Sequence, residues 1–336
     1  MTALLKSQEA RLVGRDHLER LASGAARADA RGLLRDTDIG AWLEGASWRN
    51  AEERDRALWR YLAETLGAIE LRRFFPRDAR RFSRAYLLKY DVANLKAVLQ
   101  GLTQGDKPRL LPIGVLHAKG RLEGLAAVQS REELEDVLTR GGLRNFALAL
   151  RPASPAGGRR ARPAVDAALE GEYHRGLRHA VRGRLGGHIL DAACGLMLDL
   201  ANLAVLCRLL VAGAGSTDTR SFIPGGHLLD AHDLRDALSH GLHDLPRRLE
   251  PELYRRAAAD VVAAYERTES VAVIEDVIEK HRLAALRGLL ASTLAPAAVM
   301  AWFIVLKEIE LRNVRLLLTA VEDGLALDEV RRHLLL

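Results

Sequence analysis

Three stretches of this chain repeat one pattern, and that recurrence limits the possible folds more than any other feature. They are KYDVANLKAVLQG (Lys89 to Gly101), LDLANLAVLCRLLVAG (Leu198 to Gly213) and KEIELRNVRLLLTAVEDG (Lys307 to Gly324). Aligned on Asn94, Asn202 and Asn313, each carries an acid three residues earlier: Asp91, Asp199 and Glu310. A branched apolar residue follows each asparagine (Leu95, Leu203, Val314). The apolar face continues through Val92/Leu200/Leu311, Leu99/Cys207/Leu318 and Leu102/Leu210/Val321. Positions spaced i, i+3, i+7 and i+10 lie on one stripe of a helix. Asn202 follows Asn94 by 108 positions and Asn313 follows Asn202 by 111. The chain is therefore expected to hold three copies of one helical unit, over 1–115, 116–226 and 227–336.

Composition agrees with helices. Of 336 residues, 49% are apolar and only 5% aromatic, with Leu, Ala and Arg dominant, a mixture that favours helix over sheet. Fifty Lys+Arg against 44 Asp+Glu leave a formal charge of +6. That surplus permits an acidic partner or an anionic membrane surface but also fits a solvated, arginine-rich exterior. Cys194 and Cys207 fall in the second repeat helix, about 20 Å apart if it is unbroken, too far for a disulfide. Two free thiols fit a reducing cytoplasm, and the opening MTALLKSQEARL has no apolar core of a secretory signal. Gly288 to Leu306 carries no charge, but Pro296 divides it, so one helix is expected to end near Thr293 and another to start at Pro296, both buried.

Taken in order, residues 2–35 read as helical, Asp36 to Gly45 as a turn-like break, and Glu52 to Phe75 as a long helix. Pro76 opens the first repeat helix. A pair of helices is expected from Leu116 to about Leu150, then a proline- and arginine-rich linker from Arg151 to Pro163. A long helix starts at Val165, and IPGG (Ile223 to Gly226) echoes LPIG (Leu111 to Gly114). Tyr254 to Leu290 reads as one helix before the last repeat, and Asp328 opens a terminal turn with Val330 and Leu334. No run alternates as a half-buried strand does, so the fold class is all-α.

Chemistry is sparse. GxxxxGK[ST], HExxH and GxSxG are absent, and no GxGxxG follows a strand. Asp233, Asp236, His240 and His243 fall at i, i+3, i+7 and i+10, a spacing that would put four metal-ligand types on one helix face. A helical metal site normally draws on more than one helix, and Leu234, Leu238, Leu242 and Leu245 make the other side of this stretch a core face. These four polar residues are therefore read as solvent-facing and metal-free. No nucleophile or histidine accompanies the acid–asparagine pairs. An asparagine beside an apolar stripe usually bonds neighbouring backbone, and an acid can cap an adjoining helix. Asp91, Asn94, Asp199, Asn202, Glu310 and Asn313 are accordingly expected to be structural, with no catalytic, cofactor or metal residue in the chain.

YLLKYDVANLKAVLQG (Tyr86 to Gly101), the IPGG element and KEIELRNVRLLLTAVEDGLALDEVRRHL (Lys307 to Leu334) resemble the C subunits of the A/V-type rotary ATPases, the family that includes the eukaryotic d subunits. ARLVGRDHLERL near the start resembles that family's opening. The chain departs from the pattern in its arginine-rich linker and at Lys307, which stands where Leu88 and Leu196 stand in the other copies. The resemblance implies a non-catalytic funnel of three helical modules around a pseudo-threefold axis. It would join the D and F proteins of the central shaft to a membrane rotor ring, at the cytoplasmic face, peripherally through the ring, with no nucleic acid and no cofactor. A helical-repeat scaffold for an unrelated partner, or a metal-dependent helical enzyme using Asp233, Asp236, His240 and His243, are the other classes.

Overall fold

Leucine and alanine stripes at helical spacing shape the computed structural model, which describes residues 2–22, 32–71, 75–151, 162–183, 186–213, 219–325 and 330–335. Among the described residues no strand occurs, and the fold is all-α. Helices α1 (Thr2–Glu9), α2 (Arg15–Ala22) and α3 (Asp38–Glu44) precede the long α4 (Ala51–Leu71) and α5 (Arg77–Gln104). Four short helices follow: α6 (Val115–Ala118), α7 (Leu122–Ala126), α8 (Arg131–Arg140) and α9 (Arg144–Ala149). Then come α10 (Arg162–Val181), α11 (Gly187–Val211), α12 (Ala231–Leu238) and α13 (Leu245–Arg248). The described order closes with α14 (Glu252–Thr268), α15 (Ala272–Leu290) and α16 (Pro296–Glu322).

Six long helices pack in a closed order. α4 lies on α5, α5 on α10, α10 on α11, α11 on α15, α15 on α16, and α16 returns to α4. An ion pair marks three of these junctions in the same sense. Lys96 on α5 meets Glu170 on α10 at 2.6 Å, Arg208 on α11 meets Glu275 on α15, and Arg315 on α16 meets Asp55 on α4 at 2.9 Å. Each pair is partly solvated and contributes at most about 1 kcal/mol, so burial must hold the ring. On α16, every residue from Ala297 to Val305 is buried, as expected of a helix packed on all sides. α11 is long and apolar enough to cross a membrane, with mean hydropathy 1.9, yet it packs against α10, α14, α15 and α16 as a core helix.

The three repeat helices end alike, on glycines at positive φ: Gly105 at 79°, Gly213 at 70° and Gly324 at 67°. Those glycines share the 108 and 111 spacings of the asparagines, so the counterpart of Gly213 is Gly105 and not Gly101. Gly101 lies inside α5, where a Cβ would stand 2.5 Å from the Asp106 carbonyl.

Several local expectations change. Residues 2–35 are not one helix: α1 stops at Glu9, α2 starts after Gly14, and residues 23–31 lie outside the described range. Asp38–Glu44 is a helix and not a break, because the Thr37 hydroxyl caps it by accepting the Gly40 N–H at 3.0 Å. Four short helices replace the expected pair before Leu150, each bounded by a turn too tight to continue. The single helix expected over Tyr254 to Leu290 is two, divided at Glu269 with φ 52° and a serine turn at Ser270. α15 ends at Leu290 and α16 starts at Pro296, as the proline requires. Of the linker, 152–161 lie outside the described residues, while Arg162 and Pro163 already belong to α10; Asp328 is also outside them.

Candidate functional site

Each repeat asparagine is buried in its helix and pairs with one backbone residue of the segment that follows. Asn94 accepts the Leu111 N–H at 2.7 Å and donates to the Leu111 carbonyl at 3.0 Å. Asn202 does the same with Ile223 at 2.8 and 3.0 Å, and Asn313 with Leu335 at 3.0 and 2.7 Å. A carboxamide presents a donor and an acceptor as a peptide group does, so it satisfies irregular backbone that has no ladder of its own.

One turn earlier the acids collect backbone N–H groups. Asp91 accepts from Val115 at 2.7 Å and Leu116 at 2.9 Å, the orphan donors that open α6. Gly114 passes so close that a Cβ there would lie 2.8 Å from the Asp91 carboxylate. Asp199 accepts from His227 at 2.8 Å, Leu228 at 2.7 Å, Leu229 at 3.2 Å and the Tyr254 hydroxyl at 2.7 Å. Burial pushes the Asp91 carboxyl up to about 6, against the pull of its two N–H donors.

The third position differs. Glu310 Oε1 accepts one backbone N–H at 2.9 Å, and the donor is Val13, just ahead of α2 at the other end of the chain. Its second oxygen is filled by Lys307 Nζ at 3.0 Å and the Tyr61 hydroxyl at 3.4 Å. Lys307, only 1% exposed, also donates to the Tyr61 oxygen at 2.7 Å. This explains the departure from Leu88 and Leu196: with fewer backbone donors, a buried carboxylate needs a cation. Burial still raises the Glu310 carboxyl, and Lys307 opposes that rise.

A second polar group lies where α5, α15 and α16 meet, and sequence reasoning missed it. Glu308 accepts from the Tyr86 hydroxyl at 2.8 Å and from Tyr90, and pairs with Lys89 at 2.5 Å. Lys89 Nζ sits 4.4 Å over the Tyr86 ring. The signal was the i, i+3, i+4 spacing of Tyr86, Lys89 and Tyr90, which places them on one face. An open cleft of about 580 Å³ beside this group is lined by Trp59, Tyr90, Glu308, Arg312, Arg315 and His333. Its basic groups already have partners: Arg312 and His333 meet Asp276 at 2.9 and 2.6 Å, and Arg315 meets Asp55.

Asp233, Asp236, His240 and His243 do not share a helix, because α12 ends at Leu238 and Gly241 precedes a separate 3-10 turn. Asp233 closes a capping box with Asp230, and His243 pairs with Glu266 at 3.0 Å. Among the described residues no three His, Cys, Asp or Glu side chains are grouped to hold a metal. Cys194 and Cys207 are free and buried, with burial pushing both thiols up to about 12.

Fold and site together define an all-helical protein in which three acid–asparagine pairs bond the chain's own backbone. Residues 1–333 match the family model of the ATP synthase (C/AC39) subunit, and the chain belongs to that family. The C subunit of the A-type ATP synthase of Methanocaldococcus jannaschii is 26% identical over 348 residues, covering 100% of this chain and 85% of that protein. Its counterpart from Thermococcus onnurineus is 24% identical, covering 98% and 87%, and that from Methanothermobacter thermautotrophicus 26%, covering 78% and 69%.

Proposed function

We propose that this chain is a non-catalytic central-stalk adapter of an A/V-type ATP synthase, coupling the D and F proteins of the shaft to the membrane rotor ring. Three modules over roughly 1–115, 116–226 and 227–336 form a funnel around a pseudo-threefold axis, with the N-terminal helices seated on the third. The observation that carries this is the threefold recurrence of one hydrogen-bond pattern, at Asn94, Asn202 and Asn313, within a closed order of six helices. Family membership supplies the machine, and a collar of similar but non-identical modules suits an axle of low symmetry on one side and a ring of identical proteins on the other. The chain sits at the cytoplasmic face of the membrane, peripherally, through the ring. Its stiffness comes from buried leucines, each contributing roughly 1.5–3 kcal/mol.

A complex reconstituted without this chain tests the proposal. ATP hydrolysis by the soluble head should persist while ion pumping fails. ATP hydrolysis by the isolated chain, or normal pumping without it, would overturn the assignment.

A further inference from the structure

Several exposed arginines cluster at one end of the helix ring. α5 and α10 run antiparallel, since Lys96 meets Glu170 and Arg162 donates to Gln100 at 3.1 Å. Twelve residues further along each helix, about 18 Å at 1.5 Å per residue, stand Arg84 and Arg182 at a common level. α4 and α16 are likewise antiparallel, with Arg54 donating to Thr319 at 2.8 Å and Lys307 to Tyr61 at 2.7 Å. α4 ends, and α5 and α16 begin, on that same side, about 10 Å beyond Arg84. The turns between α10 and α11 and between α15 and α16 touch there too: a Cβ on Gly186 would lie 2.7 Å from that of Ala295.

Arg77, Arg81, Arg84, Arg182 and Arg287 are exposed on these helix ends, and the first three share one face of α5 at i, i+4 and i+7. Among those described, the acidic residues on the same ends are Glu70, Asp78 and Asp191, and Asp191 is held by Arg178 at 2.9 Å and meets Arg182 at 3.6 Å. Leu294, at the tip of the turn before α16, is 75% exposed, more than any other large apolar residue described. Arginines spread over several turns around a projecting leucine match a layer of phosphate headgroups above acyl chains.

We propose that this end of the ring rests on a bilayer surface of anionic phospholipid, with the five exposed arginines among the headgroups and Leu294 inserted beneath them. The inference rests on the adapter reading only for which way the collar faces; lipid binding belongs to the isolated chain, so either can fail alone.

Flotation of the full chain with vesicles tests it. The chain should float with phosphatidylcholine–phosphatidylglycerol vesicles, stay behind with phosphatidylcholine alone, and be released by high salt. Each arginine is worth about fivefold in partitioning, so the exposed double variant Arg77→Gln/Arg81→Gln should bind about 25-fold more weakly with helical content unchanged. Leu294→Cys carrying a polarity-sensitive dye should shift to the blue on the mixed vesicles, while buried Cys194 and Cys207 stay unlabelled. Equal flotation with neutral vesicles, or a double variant that floats like the parent, would overturn the proposal. So would failure of the parent to float at all combined with loss of rotor-ring binding by the double variant in detergent, which would assign the face to a protein partner.

Discussion

Val13 donates its backbone N–H to Glu310 at 2.9 Å across 297 residues of chain, a buried hydrogen bond that ties the segment ahead of α2 to α16. The corresponding acids, Asp91 and Asp199, bond segments only 24 to 30 residues downstream. The third acid thus reaches to a segment that arrives from elsewhere, and its longer side chain and its lysine suit that task.

Lys307→Leu would restore the residue type of the other two copies yet leave Glu310 buried without its cation. A loss of about 3–5 kcal/mol in unfolding free energy is expected. The double variant Lys307→Leu/Glu310→Gln should recover a substantial part of it, as read by urea denaturation. A single variant as stable as the parent would show that Glu310 needs no cation.

The three asparagines invite a matched comparison. Asn94→Ala, Asn202→Ala and Asn313→Ala each strip a peptide group of both partners, buried at Ile223 and Leu335 and half-buried at Leu111, at about 1–3 kcal/mol apiece. Hydrogen exchange should rise locally at Leu111, Ile223 or Leu335 respectively. If one substitution proved neutral while the others did not, the three positions would not be energetic equivalents.

How much of the molecule is legible in its sequence depends on the distance over which each partner acts. The helical class, the shared register of Asn94, Asn202 and Asn313, and the restart at Pro296 are written in local spacing and can be read. Which backbone those asparagines bond cannot, since Leu111, Ile223 and Leu335 carry no mark of it. The Thr37 cap shows only as a threonine three residues before Gly40, among residues that otherwise suggest a turn. The break at Glu269 has no proline or glycine to announce it, and a non-glycine residue at φ 52° is rare enough to escape pattern reasoning. Most opaque is Lys307, whose reason lies with Val13 and Tyr61, far away in sequence.

Acid should act through His174. Burial pushes this imidazole down to about 4 from 6.5, so the folded state favours its neutral form. Its contribution is unpenalised above pH 6.5 and is lost as pH falls toward 4, up to about 3 kcal/mol. Asp91, raised to about 6, has the opposite sign: its contribution is present below 3.8 and lost as pH rises through 6. Comparing the parent with His174→Gln cancels the Asp91 part. The variant's stability should fall less steeply between pH 6.5 and 4, and parallel profiles in urea would refute the assignment.

The bond between Val13 and Glu310 also orders events on the ribosome. At about 5–20 residues per second, some 15–60 s separate the emergence of the first helices from that of their acceptor. Throughout that interval the apolar side of α2, with Leu18 at its centre, has no completed seat. Nascent chains of this protein should therefore offer their first helices to a chaperone until Glu310 has left the exit tunnel.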